Sequence, residues 1–297
     1  MFDNAKLHIY MNKIAETELI LTSENKIYHL CLSKEEIADN IILVGDPGRV
    51  ELVSSKFDSI EHKISNREFT THTGMLRGKK LSVISTGIGT DNIDIVINEL
   101  DALANINFKT RTINTEKKSL NLIRLGTSGS LQKDIKVDSF LVSNYALGFD
   151  GLAHFYSDKS RVEQEIGTAF QSHALWPNEL ANPYCVKASE KLFNKFSDIN
   201  SGITATATGF YGPQCRTLRL RPFIADLHDK MESFNYNSNR ITNFEMETSA
   251  LYYLGQTLGH NTLTICAIIG NRLTKEYSKD YKKTVSKMIE LVLSRIC

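Results

Sequence analysis

Arginines stand at the ends of several apolar runs in this chain, a placement that brings cationic chemistry to the edge of a sheet. In IILVGDPGRV (41–50), four apolar residues lead into Gly45, Asp46, Pro47 and Gly48, and then Arg49. Glycine lets backbone N–H groups come close to an anion, and a guanidinium fork matches two phosphate oxygens. Taken alone, a plain β-turn with a solvated arginine explains the segment equally well. In RLGTSGS (124–130), Arg124 sits within an apolar run, where a charge is costly unless it is paired or meets a ligand. Thr127 and Ser128 add hydroxyl and amide donors, and the competing reading is a structural ion pair. In GFYGPQCR (209–216), the Phe210 ring, the Gln214 amide and the Arg216 guanidinium can together read the edge of a heterocycle with adjacent carbonyls. IIGNR (268–272) ends another run with Asn271 and Arg272. Each of these last two segments is, on its own, explained by a surface loop.

The acidic counterpart is NFEMETSALY (243–252), which reads as the opening of a helix. Glu245 and Glu247 then face roughly opposite sides, so one carboxylate reaches a shared pocket unless the helix begins between them. A carboxylate near arginines suits the vicinal hydroxyls of a sugar beside a phosphate. Acidic residues also favour the first helical turn for electrostatic reasons alone. STGIGTDN (85–92) half matches a dinucleotide fingerprint but has Asn92 where the last glycine belongs, so it reads as a tight turn lining the same pocket. The chain has no GxSxG, HExxH or Walker A motif. Its histidines (His8, His29, His62, His72, His154, His173, His228 and His260) are scattered without metal-ligand spacing, and no metal is expected.

Positioning these groups requires strands and helices in alternation. NIILVG (40–45), KLSVISTG (80–87), NLIRLG (121–126), SFLVSNYAL (139–147), GITATATG (202–209) and TLTICAIIG (262–270) read as buried strands. Between them, Ile93, Val96, Ile97, Leu100 and Leu103 recur at helical spacing, with Asp91 or Asn92 available as the cap. Tyr281, Val285, Met288, Ile289, Val292 and Ile296 do the same at the C-terminus. Alternation of this kind implies an α/β sheet layered with helices. ALWPNELANPY (174–184) is a turn-rich connection, and the polar, basic stretch 105–121 is a surface insertion. The organisation expected is an N-terminal arm (1–25) and one domain (26–297), with the first ten residues loose and Met11 an alternative start.

Composition narrows the partners. The 297 residues carry a formal net charge of +1, which gives no global attraction to nucleic acid or membrane. Five cysteines in no paired spacing and an N-terminus without a signal-length apolar core suggest a reduced, cytoplasmic setting.

In combination the motifs resemble the nucleoside phosphorylase family of the trimeric and hexameric type, and within it the branch acting on uridine. GDPxR, REFTTHTG (67–74), STGIG, RLGTSG, FYGPQCR, FEMET and NR occur in family order, from about residue 27 to the C-terminus. The resemblance implies a single-domain, three-layer α/β/α sandwich with a mixed central sheet. It implies reversible phosphorolysis of uridine to uracil and ribose 1-phosphate, with inorganic phosphate as co-substrate and no cofactor. Phosphate would be held by Gly45, Arg49, Arg124 and Thr127, with Arg67 from a neighbouring subunit. Ribose would be held by Thr127, Met246 and Glu247, with His29 from the neighbour, and the base by Phe210, Gln214, Arg216, Ile269 and Arg272. Arg124, Glu247 and Arg216 would carry the catalysis. Sharing of His29 and Arg67 implies at least a homodimer, with a hexamer as the larger option. Some relatives hold a monovalent cation near the residue matching Glu68, but Asn92 stands here where a serine often helps. A second departure is FYGPQCR, which exchanges the proline and glycine of the frequent FYPGQxR while keeping the spacing. Purine members usually carry an aspartate at Asn271. The alternatives are a purine phosphorylase, a nucleosidase of the same fold, or a non-catalytic nucleoside-binding protein.

Overall fold

Each of the six apolar runs forms a strand in the computed structural model, which describes residues 13–297. The proposed loose decapeptide and alternative start at Met11 lie outside the described residues. The principal strands are β1 (Asn40–Val44), β2 (Ser59–Asn66), β3 (Phe69–Leu76), β4 (Lys79–Ser85), β5 (Asn121–Ser130), β6 (Phe140–Gly148), β7 (Ser201–Thr206), β8 (Asn239–Glu245) and β9 (Asn261–Asn271). The helices that matter here are α1 (Gly48–Ser54), α2 (Thr90–Asn105), α3 (Gln164–Ala174), α4 (Leu227–Ser233), α5 (Thr248–Thr257) and α6 (Tyr281–Ile296).

The strands lie side by side in the order β8-β7-β6-β9-β5-β1-β4-β3-β2. β1 runs parallel to β4 and β5, and β9 runs parallel to β5 but antiparallel to β6. The sheet is therefore mixed, with helices layered on it, as expected of an α/β/α sandwich. Ile41, Ile42, Leu43 and Val44 are all buried, the continuous apolar pattern of a parallel strand covered on both faces. One half of the sheet curls on itself. β8 pairs back antiparallel with the end of β5, matching Asn243 to Ser130 and Phe244 to Gly129. A register shift between Ile268 and Gly270 accompanies the bend in β9.

Three strands escape an apolar count. β2 is largely exposed, and β3 buries threonines and His72 as well as Phe69 and Leu76. β8 includes the residues NFE, which the sequence reading gave to a helix.

α2 buries Ile93, Val96, Ile97, Leu100 and Leu103, as its spacing requires. Its N-cap is Gly89 and not Asp91 or Asn92, because the helix starts at Thr90 and Gly89 turns the chain with φ of 100°. α5 packs against α2 and the sheet, and Tyr252 and Tyr253 are fully buried. The Tyr252 hydroxyl donates to Ser143 O at 2.7 Å and accepts from Thr264 N–H at 2.9 Å, tying the helix to β6 and β9. α6 is capped by Asp280, whose side chain accepts from Lys283 N–H. Its apolar stripe is buried except for Tyr281, which lies at the surface, 36% exposed.

The 105–121 stretch forms a small antiparallel pair, Ile106–Asn107 with Thr112–Ile113. Arg111 at its tip donates to Ile14 O at 2.8 Å and Ala15 O at 2.9 Å, and also to Leu19 O. Leu19 is buried in the main core, so this part of the arm is docked. No described helix is long and apolar enough to cross a membrane.

Candidate active site

The first polar residues after the sheet's central strands meet in one cavity of about 980 Å³. β1 delivers Gly45 and Arg49, and β5 delivers Arg124 and Thr127. The segment after β7 contributes Phe210, Gln214 and Arg216. Met246 and Glu247 follow β8, and β9 ends in Ile269 and Arg272. Carboxyl ends of parallel strands are the usual ligand edge of an α/β sheet.

Arg124 is the buried centre of the site. Its Nη1 lies 3.2 Å from Glu245 Oε2, and its Nη2 donates to Glu247 Oε2. Both carboxylates reach it because the helix does begin between them: Glu245 ends β8, Glu247 is the N-cap, and α5 starts at Thr248. Treating the two acids as neighbours on one regular helix is thus corrected. Burial works against the Arg124 charge, and the carboxylates of Glu247 and Glu245 overcome it, raising its pKa above the ordinary value. The structural ion pair and the ligand-facing arginine turn out to be the same residue. The contact to Glu245 is close but out of line, so Nη1 and Nε are left without a hydrogen-bond partner.

Glu245 was not singled out as a site residue by the sequence reading. Its carboxylate accepts from Thr206 Oγ1 at 2.7 Å and from the backbone N–H groups of Glu247 and Thr248 at 3.0 Å. Glu247 accepts from the Gly89 N–H at 2.8 Å, which links α5 to the glycine turn before α2. Burial pushes the Glu247 carboxyl up to about 7; Arg124 opposes this and the like charge of Glu245 adds to it. A Cβ at Gly126 would sit 2.2 Å from Arg124 Nη1, so a larger residue there would displace the guanidinium.

Among the described residues, Arg49, Arg216 and Arg272 form no ion pair with a carboxylate. Arg49 donates to Leu125 O at 3.3 Å. Burial, together with the charge of Arg124, lowers its pKa. The Arg216 guanidinium lies 3.7 Å from the Phe210 ring centroid and donates to Gln214 Oε1 at 2.5 Å and to Phe210 O at 2.6 Å. One face of Phe210 is therefore covered by Arg216. Arg272 donates to Gln214 O at 2.6 Å. Burial lowers the pKa of both Arg216 and Arg272, and Arg272 adds to the effect on Arg216.

Asn271 lines the cavity, but its side chain is committed elsewhere. It donates to Gln132 O and Ile135 O at 2.8 and 2.9 Å and accepts from Leu273 and Thr274 N–H groups at 3.0 and 3.1 Å. STGIG behaves as a turn at the cavity wall, with φ of 70° at Gly87 and 100° at Gly89.

His29 and Arg67 do not line the cavity of their own chain. They lie together: Arg67 Nη2 is 3.3 Å from Tyr28 Oη, and Asn66 Nδ2 donates to His29 O at 2.8 Å. Arg67 is exposed at the β2–β3 turn with φ of 54°, a left-handed conformation that arginine rarely adopts. Glu68, next to it, is exposed at the cavity edge, and Asn92 turns an amide N–H toward Ile88 O at 3.3 Å. No group of three or more His, Cys, Asp or Glu side chains suited to a metal occurs among the described residues.

The chain is similar to known proteins in sequence and in fold. The family model described as the phosphorylase superfamily matches residues 39–296. A uridine phosphorylase from Thermococcus kodakarensis is 30% identical, covering 92% of this chain and 87% of its own. A DeoD-type purine nucleoside phosphorylase from Clostridium perfringens is also 30% identical, over 89% of this chain and 96% of its own. Among solved structures, a Trypanosoma brucei nucleoside phosphorylase described as showing uridine phosphorylase activity superposes with a TM-score of 0.82 at 27% identity, covering 93% of this chain and 98% of that one.

Proposed function

The chain belongs to the phosphorylase superfamily as a pentosyltransferase, and on that footing we propose that it cleaves uridine with inorganic phosphate, giving uracil and ribose 1-phosphate. The observation that carries the choice of base is the pairing of Gln214 with Arg216 in the cavity wall. An amide and a guanidinium side by side match a ring that offers carbonyl oxygens flanking an N–H. A purine reading draws on relatives of equal identity. It would need an acid at position 271, where Asn271 is neutral and turned onto the backbone.

Phosphate is the nucleophile, and no side chain becomes covalently attached. Gly45, Arg49, Arg124 and Thr127 hold it beneath C1′, with Arg67 supplied by a second copy of the chain. The positive charge of Arg124, which lines the cavity, is what favours a phosphate there. Glu247 and Met246 grip the sugar, and His29 of the second copy reaches the 5′ side. As the C1′–N1 bond breaks, its electron pair leaves with uracil and positive charge develops on the ribose. A phosphate oxygen forms the new bond to C1′. The phosphate charge and Glu247 favour the cationic sugar. Arg216, Gln214 and Arg272 stabilise the departing base, whose negative charge spreads onto its carbonyls. Uracil then takes a proton from solvent. Arginines with pKa values lowered by burial suit this task, because they await an anion that exists fully only as the bond breaks.

A panel of uridine, thymidine and inosine, each with and without phosphate, tests the reading by absorbance. Phosphate-dependent loss of uridine with inosine untouched is expected. Cleavage of inosine would overturn the base assignment, and cleavage without phosphate would overturn the roles given to the arginines.

A further inference from the structure

One built pair lies outside the chain's own cavity, and its acid, Glu99, has no part in the chemistry above. His29 Nδ1 is 2.7 Å from Glu99 Oε1 on α2. The backbone N–H groups of His29 and Leu30 donate to the same carboxylate at 2.9 and 2.8 Å. Three donors from two consecutive residues thus converge on one acid 70 positions away in the chain. The acid is the more enclosed partner, its side chain 12% exposed against 30% for His29. Tyr28 packs edge-on against the imidazole at 4.9 Å between centroids, and Asn66 fixes the His29 carbonyl. The ring is therefore held from behind at a defined angle.

A carboxylate only accepts, so the Glu99 contact places the hydrogen on Nδ1. Nε2, for which no partner is found among the described residues, then presents a lone pair outward in the neutral ring. We propose that Glu99 is a positioning residue. It fixes His29 in the Nδ1–H tautomer so that Nε2 accepts a hydrogen bond from the 5′-hydroxyl of a nucleoside bound in a second copy of this chain. The proposal rests on the phosphorolysis reading above. A 5′-deoxy sugar brings no donor to Nε2. A 5′-phosphate dianion brings only oxygens to a lone pair backed by a carboxylate.

The test is the ratio of kcat/KM for uridine to that for 5′-deoxyuridine, measured with saturating phosphate on the full chain. Wild type is expected to favour uridine about tenfold, the scale of one hydrogen bond. Glu99→Gln keeps an oxygen for the backbone N–H groups but can turn an N–H toward the imidazole, releasing the tautomer. Its ratio is expected to fall toward one. His29→Asn retains a donor for Glu99 and lacks Nε2, so it should lose the preference without disturbing that contact. In the double variant the Glu99 change should add nothing further. A ratio unchanged by Glu99→Gln, or a loss shared equally by both substrates, would reduce Glu99 to scaffolding and overturn the proposal. Preference retained by His29→Asn would overturn it as well. Failure of wild type to cleave either substrate would instead remove the phosphorolysis reading, and the proposal with it.

Discussion

The cavity holds two sets of arginines in opposite ways. Arg124 is locked between Glu245 and Glu247, buried and held in place by charge. Arg216 and Arg272 rest on neutral groups: an aromatic face, an amide and a main-chain carbonyl. The first arrangement fixes a geometry before any substrate arrives. The second leaves positive charge uncompensated for a departing base that becomes negative. In this account, phosphate and sugar are placed by the locked arginine, and the leaving group is stabilised by the uncompensated pair.

The sharpest way to break the comparison is Arg124→Met. Removing one partner of a buried ion pair strands the others, typically at a cost of about 3–5 kcal/mol. A urea titration should show that loss together with loss of phosphorolysis. Arg216→Met, whose partners are neutral, should leave the urea midpoint nearly unchanged. Equal destabilisation by the two changes would erase the distinction.

The next largest effect is expected at the uncompensated arginines. Arg216→Ala should lower kcat on the order of 100-fold or more, as loss of one preorganised donor does, with little change in phosphate KM. A rate loss under tenfold would remove Arg216 from the chemistry. A loss appearing in phosphate KM would assign it to the phosphate site.

Smaller, but specific, is the effect of pH. Glu247 must be ionised to accept hydrogen bonds from sugar hydroxyls, and its pKa is raised to about 7. Below that pH the carboxyl is protonated, so kcat/KM should fall toward a tenfold loss per unit. Glu245→Gln removes the like charge that helps raise it, so the acid limb should move to lower pH. Phosphate ionisation cannot respond to this substitution. An unmoved limb would assign the profile to phosphate.

The sequence revealed the sheet more readily than its contacts. The buried parallel strands are continuous apolar runs, and they end in the residues that line the cavity, so strand ends and site residues were found together. β8 was hidden because NRITNFE carries polar residues that the fold buries, and the acid-rich NFEMET resembles a helix start. That error concealed Glu245. No period-two signal was available, since the apolar residues Ile241 and Phe244 are three apart and fall on opposite faces of β8. The Glu99–His29 pair was invisible for another reason. Its members are 70 residues apart, and no local pattern records that a carboxylate on α2 meets the main chain before β1.

Phosphorus NMR of the protein incubated with uridine and inorganic phosphate tests the central claim most directly, because it reports where the phosphate goes. The account predicts that the inorganic phosphate signal declines in step with uracil release and that a sugar 1-phosphate resonance replaces it. Uracil release with the phosphate signal constant and free ribose accumulating would contradict it, since the arginines would then be holding something other than the nucleophile.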